Sequence, residues 1–456
     1  MNSTVPAAGM QAAQAKSRTY VVLLAVVAAI SGLLFGFDTA VINGVLLFLR
    51  RQFMLSDFQT EVAASSLLLG CLLGAAGASL IGDRAGRKPL LLLSAFLFAL
   101  STLVAALASG VVVFSLGRLA GGLAIGLASV LTPVYIAEIA PAANRGLLIS
   151  LNQLAIVLGI LAAYMVSWKL AVFGDSSWRW MLGSAAVPSL IFFVGLLTIP
   201  ESPRWLISHG HREKGRAVLA KIFGVEAAEA EVIAVEHATA EEEGSWSEVF
   251  SQQNRKRLGV AVTLAVLCQI TGINTVLYYG SIIISEHVHG QSMGGTLLAN
   301  VVIGCTNLVG TIAAMTLLDR WGRRTMLMTA TAGMSVSLLL LVTANLAGLS
   351  PLVMLLSIVG YVGFFAFAMG PVPWIILSEI FPNKIRGRAA AIATSGLWSG
   401  TLVVTFTFLS LLKTFGIAGT FGIYAILSAV SFVYIWKRVP ETRGRTLEEI
   451  QEHWER

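Results

Sequence analysis

Long apolar runs separated by short polar segments dominate the sequence. Residues 20–49, 89–116, 147–168 and 325–361 carry at most one charged side chain each, and all exceed the roughly 20 residues that a membrane-spanning helix needs. The longest of these runs has room for two crossings. The pattern therefore predicts an all-α membrane protein with twelve transmembrane helices. We place them at 20–49, 62–82, 89–108, 110–136, 147–168, 180–199, 257–286, 295–318, 325–346, 351–377, 387–412 and 416–437.

Three charged signatures occur twice, in the same order. Residues 83–88 return as 319–324, residues 138–146 as 379–387, and residues 200–202 as 440–442. The offsets 319 − 83 = 236, 379 − 138 = 241 and 441 − 201 = 240 are nearly equal. The chain is therefore predicted to hold two pseudo-symmetric copies of a six-helix bundle, an organisation typical of transporters whose site lies between the copies.

The long polar segment between the copies carries the acidic run 241–243 and the basic cluster 255–257. Its alanine-rich composition with spaced charges predicts short surface helices in a solvated linker, with a regulatory element as the alternative. The predicted parts are a cytoplasmic N-terminal segment (1–19), the first bundle (20–199), the linker (200–256), the second bundle (257–437) and a cytoplasmic tail (438–456).

Composition and charge agree with a membrane protein. Hydrophobic residues make up 56% of the chain and charged residues 12%, against roughly 45–50% and 25% in soluble domains. Of the 31 lysines and arginines, 25 fall on the side that holds both termini. The positive-inside rule predicts a multi-pass protein of the cytoplasmic (inner) membrane with both termini in the cytoplasm. Because orientation accounts for the net charge of +7, no nucleic-acid partner is expected.

Two ionisable residues lie well inside predicted helices, where a charge is costly unless it is paired or hydrated. Asp38 is 11 residues from the outer end of the first helix and Arg118 is 8 residues from the outer start of the fourth. These counts give depths of about 16 Å and about 12 Å, so the side chains could meet. We expect Asp38 to alternate between pairing with Arg118 and taking a proton, which would couple protons to transport. A permanent structural ion pair is the alternative.

The repeated signatures at the cytoplasmic helix ends also suggest a mechanical role. Glycine permits a tight turn, and arginines beside it could reach glutamates at neighbouring helix ends, which would latch the two halves together. Topology and headgroup anchoring are the alternative. The predicted gating network comprises Arg87, Glu138, Arg145, Glu201, Arg204, Arg323, Arg324, Glu379, Arg386 and Glu441.

Amide side chains cluster inside the predicted spans. Gln153, Gln269, Asn274 and Asn307 could face one cavity and bind a neutral molecule rich in hydroxyl groups, although each could instead hold helices together. Irregular backbone is tolerated in a membrane only beside a cavity. Gly272 and the segment 370–374 predict such breaks in helices seven and ten, and the flat faces of Trp374 and Trp398 suit a sugar ring.

These segments together resemble the sugar porter family of the major facilitator superfamily, from about Gly32 to Glu449. The resemblance implies the twelve-helix fold, alternating access and a monosaccharide or polyol held mid-membrane. The residues and motifs that carry it are 36–39, 82–88, Gly117-Arg118, 138–146, 200–204, Gln269-x-x-Gly272-x-Asn274, 319–324, 370–374, 379–387 and 440–444.

By that resemblance, eight residues match positions that line or contact the sugar. Asp38 matches the aspartate of bacterial sugar/proton symporters, where facilitative glucose carriers have asparagine. The chain departs from the family at Cys268, where many members have a glutamine, and at Leu397, where a polar residue is common. The implied sugar-binding residues are Phe35, Gln153, Gln269, Asn274, Tyr278, Asn307, Trp374 and Trp398.

The sequence thus predicts a symporter of a hexose or pentose with a proton, functional as a monomer in the lipid bilayer. The alternatives are a sugar uniporter, a polyol or inositol carrier, and a sugar sensor that does not transport. An enzyme is not expected, because no nucleophile–base set or phosphate loop stands out. Neither a cofactor nor a metal is expected, since His287-x-His289 in a predicted outer loop is the nearest candidate for a metal site.

Overall fold

The computed structural model describes residues 5–141, 145–240, 246–287, 292–381, 385–441 and 443. In these residues all regular structure is helical, which confirms the predicted all-α class. The first half and the linker contain α1 (Val5–Phe53), α2 (Asp57–Ala85), α3 (Arg87–Ala106), α4 (Val111–Ile139), α5 (Arg145–Leu170), a 3-10 turn (Ala171–Ser176), α6 (Ser177–Gly183), α7 (Ala186–Thr198), α8 (Pro203–Ser208), α9 (Arg212–Phe223), α10 (Val225–Ala240) and α11 (Trp246–Val249).

The second half repeats the arrangement with two interrupted helices. It contains α12 (Gln252–Ile270), α13 (Ile273–His287), α14 (Met293–Trp321), α15 (Arg323–Leu346), α16 (Pro351–Phe364), a π-helical segment (Phe365–Met369), α17 (Val372–Glu379) and α18 (Arg386–Arg438).

Ten apolar helical segments of the described chain are long enough to cross a membrane. Two of them, Gly146–Thr198 with 53 residues and Gly387–Arg438 with 52, are far too long for one crossing. Each turns at a glycine with positive φ, Gly174 at 61° and Gly416 at 65°. Counting two crossings for each gives twelve, in agreement with the predicted fold.

Several helix ends differ from the prediction, among them the start of α2 at Asp57 and not at residue 62. α1 begins at Val5, well before the expected start at residue 20, because alanine-rich sequence around residues 7–15 favours helix without being apolar enough for a span. The membrane-compatible part begins at Thr19, close to the expected residue. In helix ten the irregular backbone starts at Phe365, five residues before the predicted break at Gly370, because a π-helical turn precedes it.

Close backbone contact between α1 and α5 fixes the position of the buried acidic residue on α1. A Cβ atom added at Gly36 would lie 1.8 Å from the carbonyl oxygen of Ile156, and one added at Gly159 would lie 2.1 Å from that of Leu33. No side chain fits at either glycine, so the backbones of the two helices are in contact at Gly36 and at Gly159. Asp38 therefore faces the interior from a rigidly held stretch of α1.

The linker helices form a small unit of their own. Ile207, Leu219, Ala228 and Val232 make a separate apolar cluster between α8, α9 and α10. Arg212 of α9 donates hydrogen bonds to Glu229 and Glu236 of α10, and its bond holds the pKa of the Glu229 carboxyl below the usual value. These contacts keep α9 and α10 paired on the side of the molecule that carries the termini.

Candidate functional site

Asp38 and Arg118 form a buried ion pair. The Nη1 atom of Arg118 lies 2.5 Å from Oδ1 of Asp38, and Nη2 donates to the Asp38 carbonyl oxygen at 3.3 Å. The residues are 5% and 2% exposed. The two side chains therefore meet, as their similar predicted depths in the membrane indicated.

The second carboxylate oxygen of Asp38 is free. Oδ2 is buried and accepts no hydrogen bond from a described residue, and Nε of Arg118 likewise has no acceptor among these residues. Cys71 of α2 and Tyr278 of α13 are close enough to interact electrostatically with this pair. Tyr278 belongs to the second half of the chain, so the pair from the first half lies near one of the predicted sugar-binding residues of the other half.

Gln269 and Asn274 lie on the two sides of the break in helix seven. Asn274 Nδ2 donates to Gln269 Oε1 at 2.5 Å, across the turn at Gly272 (φ 95°). A Cβ atom at Gly272 would lie 2.6 Å from the ring of Tyr424, so the turn also requires glycine for space. The broken helix thus places both predicted amides at one point in the interior.

The aromatic residues of the predicted site come from both halves. Phe35 of α1 and Trp398 of α18 have ring centroids 5.5 Å apart. Trp398 is 3% exposed, and its indole Nε1 is buried with no acceptor in the part of the chain that the structure describes. Trp374, at the start of α17, is 38% exposed and is not part of this contact.

The side-chain amides of Gln153 and Asn307 are available to bind a ligand. Gln153 is half-buried on α5 and Asn307 is 7% exposed on α14. Neither makes a hydrogen bond to any described residue, whereas the other two amides of the predicted set bond to each other. Free interior amides in both halves can bind the hydroxyl groups of a neutral molecule.

Cys268, one of the departures from the family pattern, contacts the backbone at the break in helix ten. Its Sγ atom lies 2.9 Å from the carbonyl oxygen of Met369, the last residue of the π-helical segment, and accepts from Gln269 Nε2 at 3.6 Å. Leu397, the other departure, is 4% exposed. Both side chains pack in the protein, and neither adds a hydroxyl partner.

The duplicated signatures at the helix ends are only partly as predicted. Arg87 bonds Glu138 through two nitrogen atoms, at 3.1 and 2.9 Å, and Arg204 interacts with Glu138 electrostatically. The expectation that arginine side chains bind Glu201 and Glu441 is wrong. These carboxylates accept backbone N–H groups at the start of a helix instead, because the turn before that helix leaves those donors unpaired.

In the first half, Glu201 accepts from the backbone of Arg87 at 3.1 Å and of Lys88 at 3.1 Å. In the second, Glu441 accepts from Arg323 at 2.9 Å and Arg324 at 3.2 Å.

All these bonds stay within one half of the molecule. The Arg324 side chain donates to the carbonyl oxygen of Trp436, also in its own half. The side chains of Arg145, Glu379, Arg386 and His287 are not among those that the structure describes, although His287 is the last residue of α13. His289 lies outside the described residues.

Bonds between the halves occur on the side opposite the termini, which we call the outer side. Asn43 of α1 is fully buried there. Its Nδ2 donates to the carbonyl oxygen of Val276 and to Asn300 Oδ1, both at 3.2 Å, and its Oδ1 accepts from the backbone of Ser281 at 2.6 Å. The first half is thereby tied to helices α13 and α14, so the outer side is closed.

A second outer contact joins Glu61 of α2 to Ser410 of α18. The sequence prediction overlooked both contacts. Glu61 stands one residue before the predicted span 62–82, where a carboxylate is usually solvated, although it is 1% exposed. Asn43 lies inside the apolar run 20–49, and a lone amide in such a run was the available signal.

The profile of a family described as "Sugar (and other) transporter" matches residues 24–454. The chain is 37% identical to the arabinose-proton symporter of Bacillus subtilis (strain 168) over 446 residues, covering 96% of both proteins. It is 36% identical to the D-xylose-proton symporter of Escherichia coli (strain K12), again covering 96% of both.

Among solved structures, the chain is similar to the xylose transporter from E. coli in a partially occluded inward open conformation. The TM-score is 0.84 at 35% identity, covering 94% of this chain and 100% of that one. The relatives are membrane transporters, and the match extends through both six-helix halves. The chain therefore belongs to the sugar transporter family of the major facilitator superfamily.

Proposed function

We propose that this protein imports a monosaccharide, a hexose or a pentose, together with a proton by alternating access. The observation that carries the proposal is the Asp38 carboxylate, which is buried, paired with Arg118 through one oxygen and unpartnered at the other. A buried carboxylate beside an arginine can exist either paired and ionised or protonated and released. The printed names of the arabinose- and xylose-proton symporters support the same assignment.

In the proposed cycle a proton from the outer side binds Asp38 and releases Arg118 while the site is open outward. Sugar then binds between the halves, and the halves rock so that the site opens to the other side. The proton leaves as Asp38 pairs with Arg118 again. One proton therefore crosses with each sugar, and the charge buried in the empty carrier remains compensated.

The proposed sugar site uses amides for hydroxyl groups and rings for the C–H face of the sugar. Gln153 and Asn307 have free hydrogen-bonding capacity, and the indole N–H of Trp398 is an unused donor beside Phe35. Unpaired buried donors and acceptors favour a ligand that satisfies them. The full proposed set remains Phe35, Gln153, Gln269, Asn274, Tyr278, Asn307, Trp374 and Trp398.

A uniporter is the second candidate. The 2.5 Å contact between Arg118 and Asp38 is the observation in its favour, because a permanent pair of this kind would hold α1 to α4 without taking part in transport. A polyol or inositol carrier would use the same amides.

The deciding experiment is uptake of radiolabelled sugars into proteoliposomes, using a panel of pentoses, hexoses and polyols with and without an imposed proton gradient. We expect one monosaccharide to accumulate above its external concentration only with the gradient. Asp38→Asn should retain sugar exchange at equilibrium but lose uphill accumulation. Accumulation by this variant would exclude Asp38 as the coupling residue, and uptake that only equilibrates in the unaltered protein would establish a uniporter.

We also propose that both termini are cytoplasmic and that one chain suffices for transport in the cell membrane. The distribution of lysine and arginine supports the orientation, and the supply of candidate site residues by both halves of one chain supports a working monomer. The repeated cytoplasmic signatures are proposed to join the halves when the site is open outward. The orientation can be tested with Lys16→Cys, by measuring from which side of sealed vesicles a thiol reagent labels the new cysteine.

A further inference from the structure

Glu61 is a buried carboxylate that joins the two halves of the transporter. It lies on the first turns of α2 and is 1% exposed. Its Oε1 accepts the backbone N–H of Ser410 at 2.7 Å and its Oε2 accepts the hydroxyl of the same residue at 2.9 Å. Both carboxylate oxygens are thus used on one residue of α18, in the other half of the molecule.

We propose that Glu61 and Ser410 form a latch that holds the outer side closed and that releases each time the transporter opens outward. Both bonds require the carboxylate to stay within about 3 Å of Ser410. Any rocking of the halves that admits sugar from the outer side separates α2 from α18 by more than this distance. The latch therefore exists in one half of the cycle only.

The surroundings of Glu61 make the latch reversible. Glu61 takes part in no salt bridge with a described residue, and its carboxylate is held in the closed state by the two donors of Ser410. In the outward-open state water from the outer side would hydrate the carboxylate. Exchanging water for two protein donors leaves a small net difference, in contrast to a contact that never breaks.

Neighbouring contacts follow the same interface. Phe58 and Phe406 pack edge to face with centroids 5.9 Å apart, one helical turn from the latch. On the C-terminal half, Tyr279 donates to the carbonyl oxygen of Thr405 at 2.7 Å, which fixes α13 to the same stretch of α18. The latch residue on α18 is thereby linked to the broken helix that carries Gln269 and Asn274.

The outer salt bridge of Arg50 with Glu286 is a weaker candidate for this role. Its Nη1–Oε1 distance is 3.2 Å and its side chains are 24% and 49% exposed. Exposed ion pairs are screened by solvent and stabilise little. The buried carboxylate is therefore the contact whose loss should change the balance between the two states.

The test measures the separation of the outer ends directly. Spin labels at Arg51→Cys and Lys413→Cys, two exposed outer positions on opposite halves, report that distance by double electron–electron resonance, with Cys305 replaced by alanine. We expect a short-distance population in the unaltered latch. Glu61→Ala should raise the ratio of long to short distances about tenfold or more, the scale expected for losing bonds to a buried charge.

Two further variants weaken the contact between Glu61 and Ser410 by smaller amounts. Glu61→Gln retains a carbonyl acceptor for the Ser410 amide and should shift the ratio less, and Ser410→Ala removes one of the two bonds with the carboxylate intact. Thr407→Ala is the matched control, because that hydroxyl donates to the carbonyl oxygen of Val403 in its own helix. An unchanged distance distribution in both Glu61→Ala and Ser410→Ala overturns the latch; if Glu61→Ala does not fold, Ser410→Ala decides alone.

The inference rests on the alternating access of the proposed function but not on proton coupling. Asp38→Asn carrying the same labels therefore separates the two proposals. Loss of uphill accumulation in Asp38→Asn, together with unchanged distances in the Glu61 and Ser410 variants, leaves the symporter standing and removes the latch. If the latch variants shift the distances but the protein only equilibrates sugar, the latch stands and the symporter is excluded.

Discussion

Glu201 accepts the backbone N–H of Arg87 at 3.1 Å and so caps the first turn of α3. The same geometry recurs in the other half, where Glu441 accepts from Arg323 at the first turn of α15. The four free N–H groups and the dipole of a helix favour an anion at its N-terminus. The repeated glutamate therefore stabilises each half from within, as a helix cap at a helix–helix turn.

The caps should contribute measurably to stability. Glu201→Ala leaves three backbone donors unpaired, those of Arg87, Lys88 and Ser202, and removes a charge from the N-terminus of α3. We expect a loss of about 1–3 kcal/mol, seen as a lower apparent melting temperature in detergent at a fixed scan rate. Glu441→Ala should behave alike because its geometry is the same. Glu201→Gln keeps one acceptor and should lose less; equal melting temperatures for the alanine and glutamine variants would contradict capping.

The glycine before each cap is a separate prediction. Gly86 has φ 87° and ψ 164°, and a Cβ atom there would lie 2.5 Å from Oε2 of Glu201. Gly224 in the linker has nearly the same dihedral angles, 93° and 158°, with nothing within 4 Å of the added atom. Gly224→Ala therefore carries only the backbone strain of about 1–3 kcal/mol.

Gly86→Ala should destabilise the protein more than Gly224→Ala, because the new methyl group also displaces the capping carboxylate. The measurement is the melting temperature of the two purified variants, with folded yield as a second readout. Equal losses would mean that backbone strain alone explains the requirement for glycine. In Gly86→Ala combined with Glu201→Ala, part of the extra loss should disappear, since the clash is then absent.

The fold could be predicted from the sequence because the signals for it are long and repeated. Twenty-residue apolar runs and a repeated set of charged turns fix helix number and pairing, and neither depends on details of packing. The partners of Glu201 were missed for a different reason. A carboxylate can bind a guanidinium or a helix N-terminus, and sequence spacing does not distinguish them; the choice depends on where the turn at Gly86 directs its N–H groups.

The buried pair of Asp38 and Arg118 should be coupled in stability as well as in transport. Arg118→Leu leaves an unpaired carboxylate in the interior and should cost about 3–5 kcal/mol. Asp38→Asn together with Arg118→Leu removes both charges and should recover much of that loss. Thermal unfolding of the two single variants and the double variant gives the coupling. Additive losses would show that the two side chains do not stabilise each other.

The buried pair could be predicted from the sequence, whereas the bonds within the candidate site were less predictable. Asp38 and Arg118 stood out because charges are rare in spans, and depth alone brought them together. The bond from Asn274 to Gln269 depends on the positive φ of Gly272, which reverses the chain between them. Glu61 escaped notice because it lies near a helix end, where a carboxylate is usually solvated, and its burial depends on tertiary contacts such as the one with Ser410 of α18.

The mutual bond of Gln269 and Asn274 leads to the last prediction, on sugar binding. Asn274 donates its Nδ2 to Gln269 and keeps its Oδ1 for a ligand, whereas Gln269 also directs its Nε2 to Cys268 Sγ. Gln269→Ala therefore removes a sugar partner and also frees Asn274 Nδ2. One lost hydrogen bond of about 0.5–1.5 kcal/mol corresponds to a rise in half-saturation concentration of about 2- to 12-fold. The transport rate at saturating sugar should change less, because the coupling pair is untouched.

Initial-rate uptake in proteoliposomes gives both constants. Asn345→Ala, at the outer end of α15 and remote from the site, is the control and should leave the half-saturation concentration unchanged. Asn274→Ala should resemble Gln269→Ala, and the double variant should lose less than the sum of the two because the first change already breaks their shared bond. If neither single variant alters the half-saturation concentration, the two amides hold the broken helix together and do not contact the sugar.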